Sequence, residues 1–143
     1  MLIYGVCESD ITKYNEDKAE KFLKSLLSTC CKDIAENYFI NIEENRCNLS
    51  DWLNNYESYN GCNGLFACLE EIIRELEDVD ISCDNPNGIY YLGLQADTPW
   101  NYNEKIKNLT AREYRDILMK YLHYFTDDKI EIRWWKVNDE CDY

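Results

Sequence analysis

Few residues in this chain have the type and spacing to do chemistry. His123 is the only histidine. It lies off the apolar stripe of its helix, between Leu122 and Tyr124; a catalytic partner need only be near in space, but nothing in the sequence prefers one, so it reads as a surface or partly packed histidine. Eight cysteines are present, but none form a CxxC, and one histidine cannot complete a two-His zinc site. Cys30-Cys31 are adjacent and Cys62 and Cys68 straddle a helix start; neither is a ligand spacing. Asp78, Asp80 and Asp84 before Gly88 suggest a calcium loop, but that loop needs Gly where Cys83 stands and a bidentate Glu where Ile89 stands. The five glycines make no phosphate-cradling pattern. The expectation is a protein that is not an enzyme and has no metal and no cofactor.

What the sequence offers instead is a charged surface. The formal net charge is −13, from 28 acids and 15 bases, and it is segregated. Residues 1–61 hold 11 acids and 6 bases, residues 62–104 hold 9 and 1, and residues 105–143 hold 8 and 8. An acidic chain lacks the clustered Lys and Arg that phosphate binding requires, so direct nucleic-acid binding is not expected. Attraction to an anionic membrane surface is not expected either. A basic partner is favoured, with solubility as the simpler account. Five of the nine acids of the middle third fall on one predicted helix. Leu65, Phe66, Leu69, Ile72, Ile73 and Leu76 form its apolar side, and Glu70, Glu71, Arg74, Glu75, Glu77 and Asp78 its outer side. Like charges at helical spacing cost a few tenths of a kcal/mol per pair, and acids at a helix C-terminus oppose its dipole. Packing must offset that cost.

Asp80 and Asp84 extend the acidic set along a predicted strand. The chain also carries 12 Tyr and 4 Trp. Tyr and Trp bury large areas at interfaces with few rotamers to freeze. Trp100 and Tyr102 fall in a loop, Tyr56 and Tyr59 near a turn, and strand alternation turns Trp135 outward if Trp134 faces in. Glu70, Glu71, Glu75, Glu77, Asp78, Asp80, Asp84, Trp100 and Trp135 are therefore the candidate partner-binding residues. The competing account packs these rings on the sheet's second face.

The elements that must position these residues are legible around one helix–strand unit. Thr110 and Glu113 have capping-box spacing, and Leu109 and Tyr114 are placed as a hydrophobic staple. Tyr114, Ile117, Leu118, Tyr121, Leu122 and Phe125 recur at helical spacing; Ile130, Ile132 and Trp134 then alternate with Glu131, Arg133 and Trp135. Upstream, Leu2 to Val6 reads as a short buried strand. Asn15 caps a helix expected to run from Glu16 to about Asn37 on the stripe Ala19, Phe22, Leu23, Leu26, Leu27, Cys30 and Ile34, and Tyr38 to Ile42 fits either helix or strand. Ser50 caps a short helix to about Tyr59, and residues 79–95 read as a β-hairpin turning at Asn85 to Gly88. A long loop spans 96–108. The order is β-α-α-α-β-β-α-β. Strands do not alternate with helices throughout, so the expected fold is α+β. It is one domain over 1–143, with about four strands in an antiparallel or mixed sheet and helices mainly on one face.

Met1 to Val6 lacks the charged and long apolar regions of a secretory signal, and no run approaches a membrane span. The cysteines are therefore expected to be reduced and the protein cytoplasmic, with Cys7, Cys30, Cys68 and Cys83 as small core residues. The triplets at Asn48 and Asn108 match a glycosylation acceptor but are accounted for by the helix caps they contain.

Small size, acidity, the absence of catalytic motifs and an excess of residues with AT-rich codons (Asn, Ile, Lys, Tyr) make the chain similar in general character to small phage and mobile-element anti-defence proteins, anti-CRISPR inhibitors among them. The resemblance implies an acidic inhibitor that occupies the nucleic-acid site of a basic partner, such as a defence nuclease, as a DNA mimic or steric blocker in the host cytoplasm. An immunity protein against a nuclease toxin uses the same physics. A small-molecule binder that sequesters a nucleotide signal is the reading from another class; Lys105, Lys107, Arg112 and Arg115 would supply its cations.

Overall fold

The computed structural model describes residues 2–55, 64–86, 88–95 and 109–137. Leu2–Cys7 (β1) is the central strand. Its run of apolar residues is buried from Ile3 through Cys7, as a strand covered on both faces requires. Tyr91–Gln95 (β3) and Arg133–Lys136 (β4) pair with it on either side, and Ser82–Asp84 (β2) pairs with β3. The order is β2-β3-β1-β4, and every pairing is antiparallel. The fold is the expected α+β arrangement with a four-stranded sheet.

Side-chain alternation splits the sheet into two faces. Tyr4, Val6, Leu92 and Leu94 join the helices in the main core, while Ile3, Cys7, Tyr91 and Val137 form a smaller cluster with Trp135 against it. At the centre Gly5 lies opposite Gly93. A Cβ on Gly93 would sit 2.1 Å from the Tyr4 carbonyl oxygen and 2.7 Å from Gly5 Cα. The two strands approach closely enough that only glycine fits.

The expected long helix from Glu16 is two helices. Asn15 caps Glu16–Ser25 (α1) by accepting from the Lys18 amide. The chain then tightens into a 3-10 turn at Leu26–Ser28, extends at Thr29 and re-enters a helix at Lys32–Glu43 (α2). The cause is a run of hydroxyl side chains that compete for the backbone. Ser25 Oγ donates to the Phe22 carbonyl, Thr29 Oγ1 donates to the Leu26 carbonyl, and the Cys31 amide donates to Thr29 Oγ1. The break shifts the buried register. Leu26 and Cys31 enter the core, whereas Leu27 and Cys30, which continue the single-helix stripe, are exposed. Tyr38 to Ile42 resolves as helix within α2.

Leu49–Asn55 (α3) starts on Asn48, whose side chain accepts from the Asp51 amide; Ser50 lies inside the helix rather than capping it. Gly64–Glu77 (α4) buries Leu65, Phe66, Cys68, Leu69, Ile72 and Ile73. Ala111–Leu122 (α5) begins with the expected capping box between Thr110 and Glu113. The β2–β3 hairpin forms, with Gly88 in the left-handed region at φ 84°. No helix among the described residues is long and apolar enough to cross a membrane.

Candidate functional site

The seven candidate acids divide by what they touch. Glu70 points from α4 to the sheet edge. One oxygen accepts from the Cys83 amide at 2.9 Å, and the other lies 3.1 Å from Arg74 Nη1, whose Nε donates to the Ile81 carbonyl. Glu77 accepts the Tyr121 hydroxyl and lies 3.5 Å from Lys120 Nζ. Burial, and then the hydrogen bond to Glu77, push the Tyr121 phenol well above its ordinary range. Asp84 accepts from Ser82 Oγ at 2.9 Å. The Asp80 carbonyl accepts the hydroxyl of buried Tyr114 at 2.7 Å. Glu70 and Glu77 thus fasten α4 to β2 and α5, Tyr114 ties α5 to the segment before β2, and the Asp84 contact stays within β2.

Glu71, Glu75 and Asp78 are exposed. Glu71 and Glu75 are one helical turn apart on the side of α4 away from its buried row, and Asp78 follows the helix at a positive φ of 52°, a conformation Asp tolerates. Among the seven, this trio is the exposed part. It rests on a helix whose other side is fully packed, so its position is fixed by the core.

The aromatic candidates rearrange. Trp100 lies outside the described residues, as do Tyr56, Tyr59, Tyr102, Lys105 and Lys107. Trp135 faces the sheet's second side as alternation requires, but it is only partly exposed. Its Nε1 donates to the Gly5 carbonyl at 2.7 Å, and the Arg133 guanidinium lies 3.6 Å above its ring. Trp134 faces the helix side yet is 44% exposed, because β4 is an edge strand. It packs on Tyr4 with ring centroids 5.0 Å apart. Alternation identifies which face each ring takes; only the sheet order tells which ring reaches solvent.

Cys7, Cys30, Cys31, Cys47 and Cys68 are free thiols. Cys83 is disulfide-bonded, its partner outside the described residues, which corrects the expectation that it is a reduced core residue. Burial pushes the Cys31 thiol up to about 12, with Cys30 adding to the shift, and burial raises Cys68 further, so neither is a poised nucleophile. Among the described residues no group of three His, Cys, Asp or Glu side chains is placed to hold a metal ion. His123 is exposed at the end of α5. An open cleft of about 480 Å³ beside α1 is lined by Lys18, Lys21, Phe22, Ser25 and Tyr124, with the Phe22 and Tyr124 rings stacked at 4.2 Å.

Fold and surface together define a small α+β domain that presents ordered carboxylates on a rigid helix. No family model, curated protein or solved structure matches the chain.

Proposed function

We propose that this chain is a small acidic binding protein that occupies the basic, nucleic-acid-binding surface of another protein and thereby inhibits it, as a nucleic-acid mimic or steric blocker of the anti-defence type. The observation that supports this reading is the trio Glu71, Glu75 and Asp78, exposed on the outer side of α4 while the opposite side is fully packed. Duplex DNA carries about one negative charge per 1.7 Å of axis, and a partner built to bind it offers clustered Lys and Arg. Fixed carboxylates meet that surface with little ordering cost, and the −13 net charge steers the approach. The proposed activity is binding without catalysis.

The test is capture of basic proteins from a nuclease-treated lysate of a low-GC bacterium at low and raised salt, followed by competition with duplex DNA. The expected result is one stoichiometric nucleic-acid-binding protein, released by salt and displaced by DNA. Binding should fall at least about tenfold in the triple variant E71K/E75K/D78K, the loss expected for three exposed charge pairs. Unchanged binding by the triple variant would overturn the reading. A captured partner that is a toxin nuclease would place the same surface in an immunity protein.

The cleft by Lys21, Phe22 and Tyr124, with Lys18 on its rim paired to Asp127 at 2.7 Å, supports a second reading, a site for a small anion with a flat ring. A rise in melting temperature with a nucleotide panel supports it, and a flat response rejects it.

A further inference from the structure

Lys21 lines two clefts, one on each side of its row on α1. Lys18, Phe22 and Ser25 stand on one side of it, and Asp17, Glu20 and Lys24 on the other, as helical neighbours three and four apart do. The first cleft, closed by Tyr124, has no carboxylate in its lining. The second, of about 390 Å³, is lined by Asp17, Glu20, Lys21, Lys24 and, from α2, Phe39.

Each cleft has a wall for a flat ring. In the first, Phe22 is buried and Tyr124 stacks on it at 4.2 Å, so Tyr124 is the ring that a ligand meets. In the second the wall is Phe39, partly buried and set edge-on to Tyr38. The polar groups then assign the rest. Lys18 is tied to Asp127, whereas Lys21 and Lys24 hold no carboxylate among the described residues. Lys21 is therefore a cation open to both clefts, and an anion on it lies between two ring walls. In the second cleft Glu20 spends one oxygen on the Tyr38 hydroxyl at 2.8 Å, and the exposed Asp17 spends none on any described residue. Free carboxylate oxygens repel a phosphate but accept from N–H groups, which the edge of a nucleobase offers. The second cleft thus suits a base and leaves the anion to Lys21. A helix with its side chains is about 10–12 Å across, so the two walls are separated by about that width. A mononucleotide has one ring and fills one cleft. Two nucleosides joined through a phosphate carry ring, anion and ring in the order that the clefts present.

The geometry points to a dinucleotide as the ligand of this face of α1. Its phosphodiester lies on Lys21, one base stacks on Tyr124, and the other, a base with N–H donors, lies against Phe39 and Asp17. This rests on the cleft at Tyr124 being a site for a flat anion, and it uses none of the acidic trio on α4.

Titration calorimetry with diguanosine and diadenosine dinucleotides, linear and cyclic, beside GMP and AMP tests it. At least one dinucleotide should bind about tenfold or more tighter than its mononucleotide, the gain from a second stacked base. Lys21→Ala and Tyr124→Leu should weaken both kinds of ligand. Phe39→Leu, which keeps the apolar bulk, and Asp17→Ala, which changes an exposed side chain, should each weaken the dinucleotide severalfold and leave the mononucleotide as it was. Mononucleotide binding with no gain for any dinucleotide, or a dinucleotide held as tightly by Phe39→Leu and Asp17→Ala as by the native chain, would overturn the proposal and leave the single-cleft reading standing. Absence of binding by every ligand would overturn both.

Discussion

At the residue scale, two small features carry constraints out of proportion to their size. A methyl group on Gly93 meets the Tyr4 carbonyl oxygen at 2.1 Å, and that oxygen belongs to the sheet backbone and cannot swing away. Gly93→Ala should therefore destabilise the domain by about 2–3 kcal/mol, at the upper end of ordinary overpacking, measured as a lowered urea midpoint. Asp128 acts through hydrogen bonds. Its carboxylate accepts from the Thr12 and Lys13 amides at 2.7 and 3.0 Å, tying the chain before α1 to the turn after α5. Those bonds, the Thr12 amide first, hold its carboxyl below the usual range. A depressed carboxylate contributes stability above its unfolded value, near 3.9, and loses it as pH falls through the folded value. The unfolded chain binds the proton first, so stability drops as pH falls below about 4. Asp128→Asn should be less stable at neutral pH and lose less on acidification. Urea melts of both proteins across the acid range decide it; identical acid limbs would remove Asp128 as a contributor.

At the scale of elements, sequence and structure agree where local chemistry and periodicity point the same way. The Thr110–Glu113 capping box and the apolar face of α5 specify that helix completely, and β1 reads as buried because it is apolar on both faces. The first helix shows the opposite case. Leu26 and Leu27, and Cys30 and Cys31, offer apolar residues in two registers, so a helical stripe runs unbroken through a segment that bends. The signal for the bend is Ser25 and Thr29, whose effect depends on which carbonyls they reach. The same limit applies to the acids of α4. Their types and spacing show an acidic side, but the partners that engage Glu70 and Glu77 are the Cys83 amide and Tyr121, far along the chain. Only the packing of α4 between β2 and α5 separates acids that hold the fold from acids that face solvent.

At the scale of the whole molecule, the charge distribution sets stability against binding. Glu71 and Glu75 stand at i, i+4 in the last half of a helix, with Asp78 just beyond its end. Like charges at that spacing cost a few tenths of a kcal/mol, acids near a helix C-terminus oppose its dipole by a similar amount, and both act within a field of net charge −13. Glu70, Glu77 and the buried apolar row fasten α4, and Glu71 and Glu75 are exposed on its outer side. The double variant E71K/E75K should therefore be more stable than the native chain by about 0.5–1 kcal/mol at low ionic strength, with the gain shrinking as salt screens the field. Urea denaturation at low and high salt measures this directly. A surface kept for solubility has no reason to hold like charges where they destabilise. If the variant is more stable and no longer captures a basic partner, the stripe is maintained for binding against its own cost in stability. If it is less stable, these carboxylates have a structural role and the case for a recognition surface on α4 is lost.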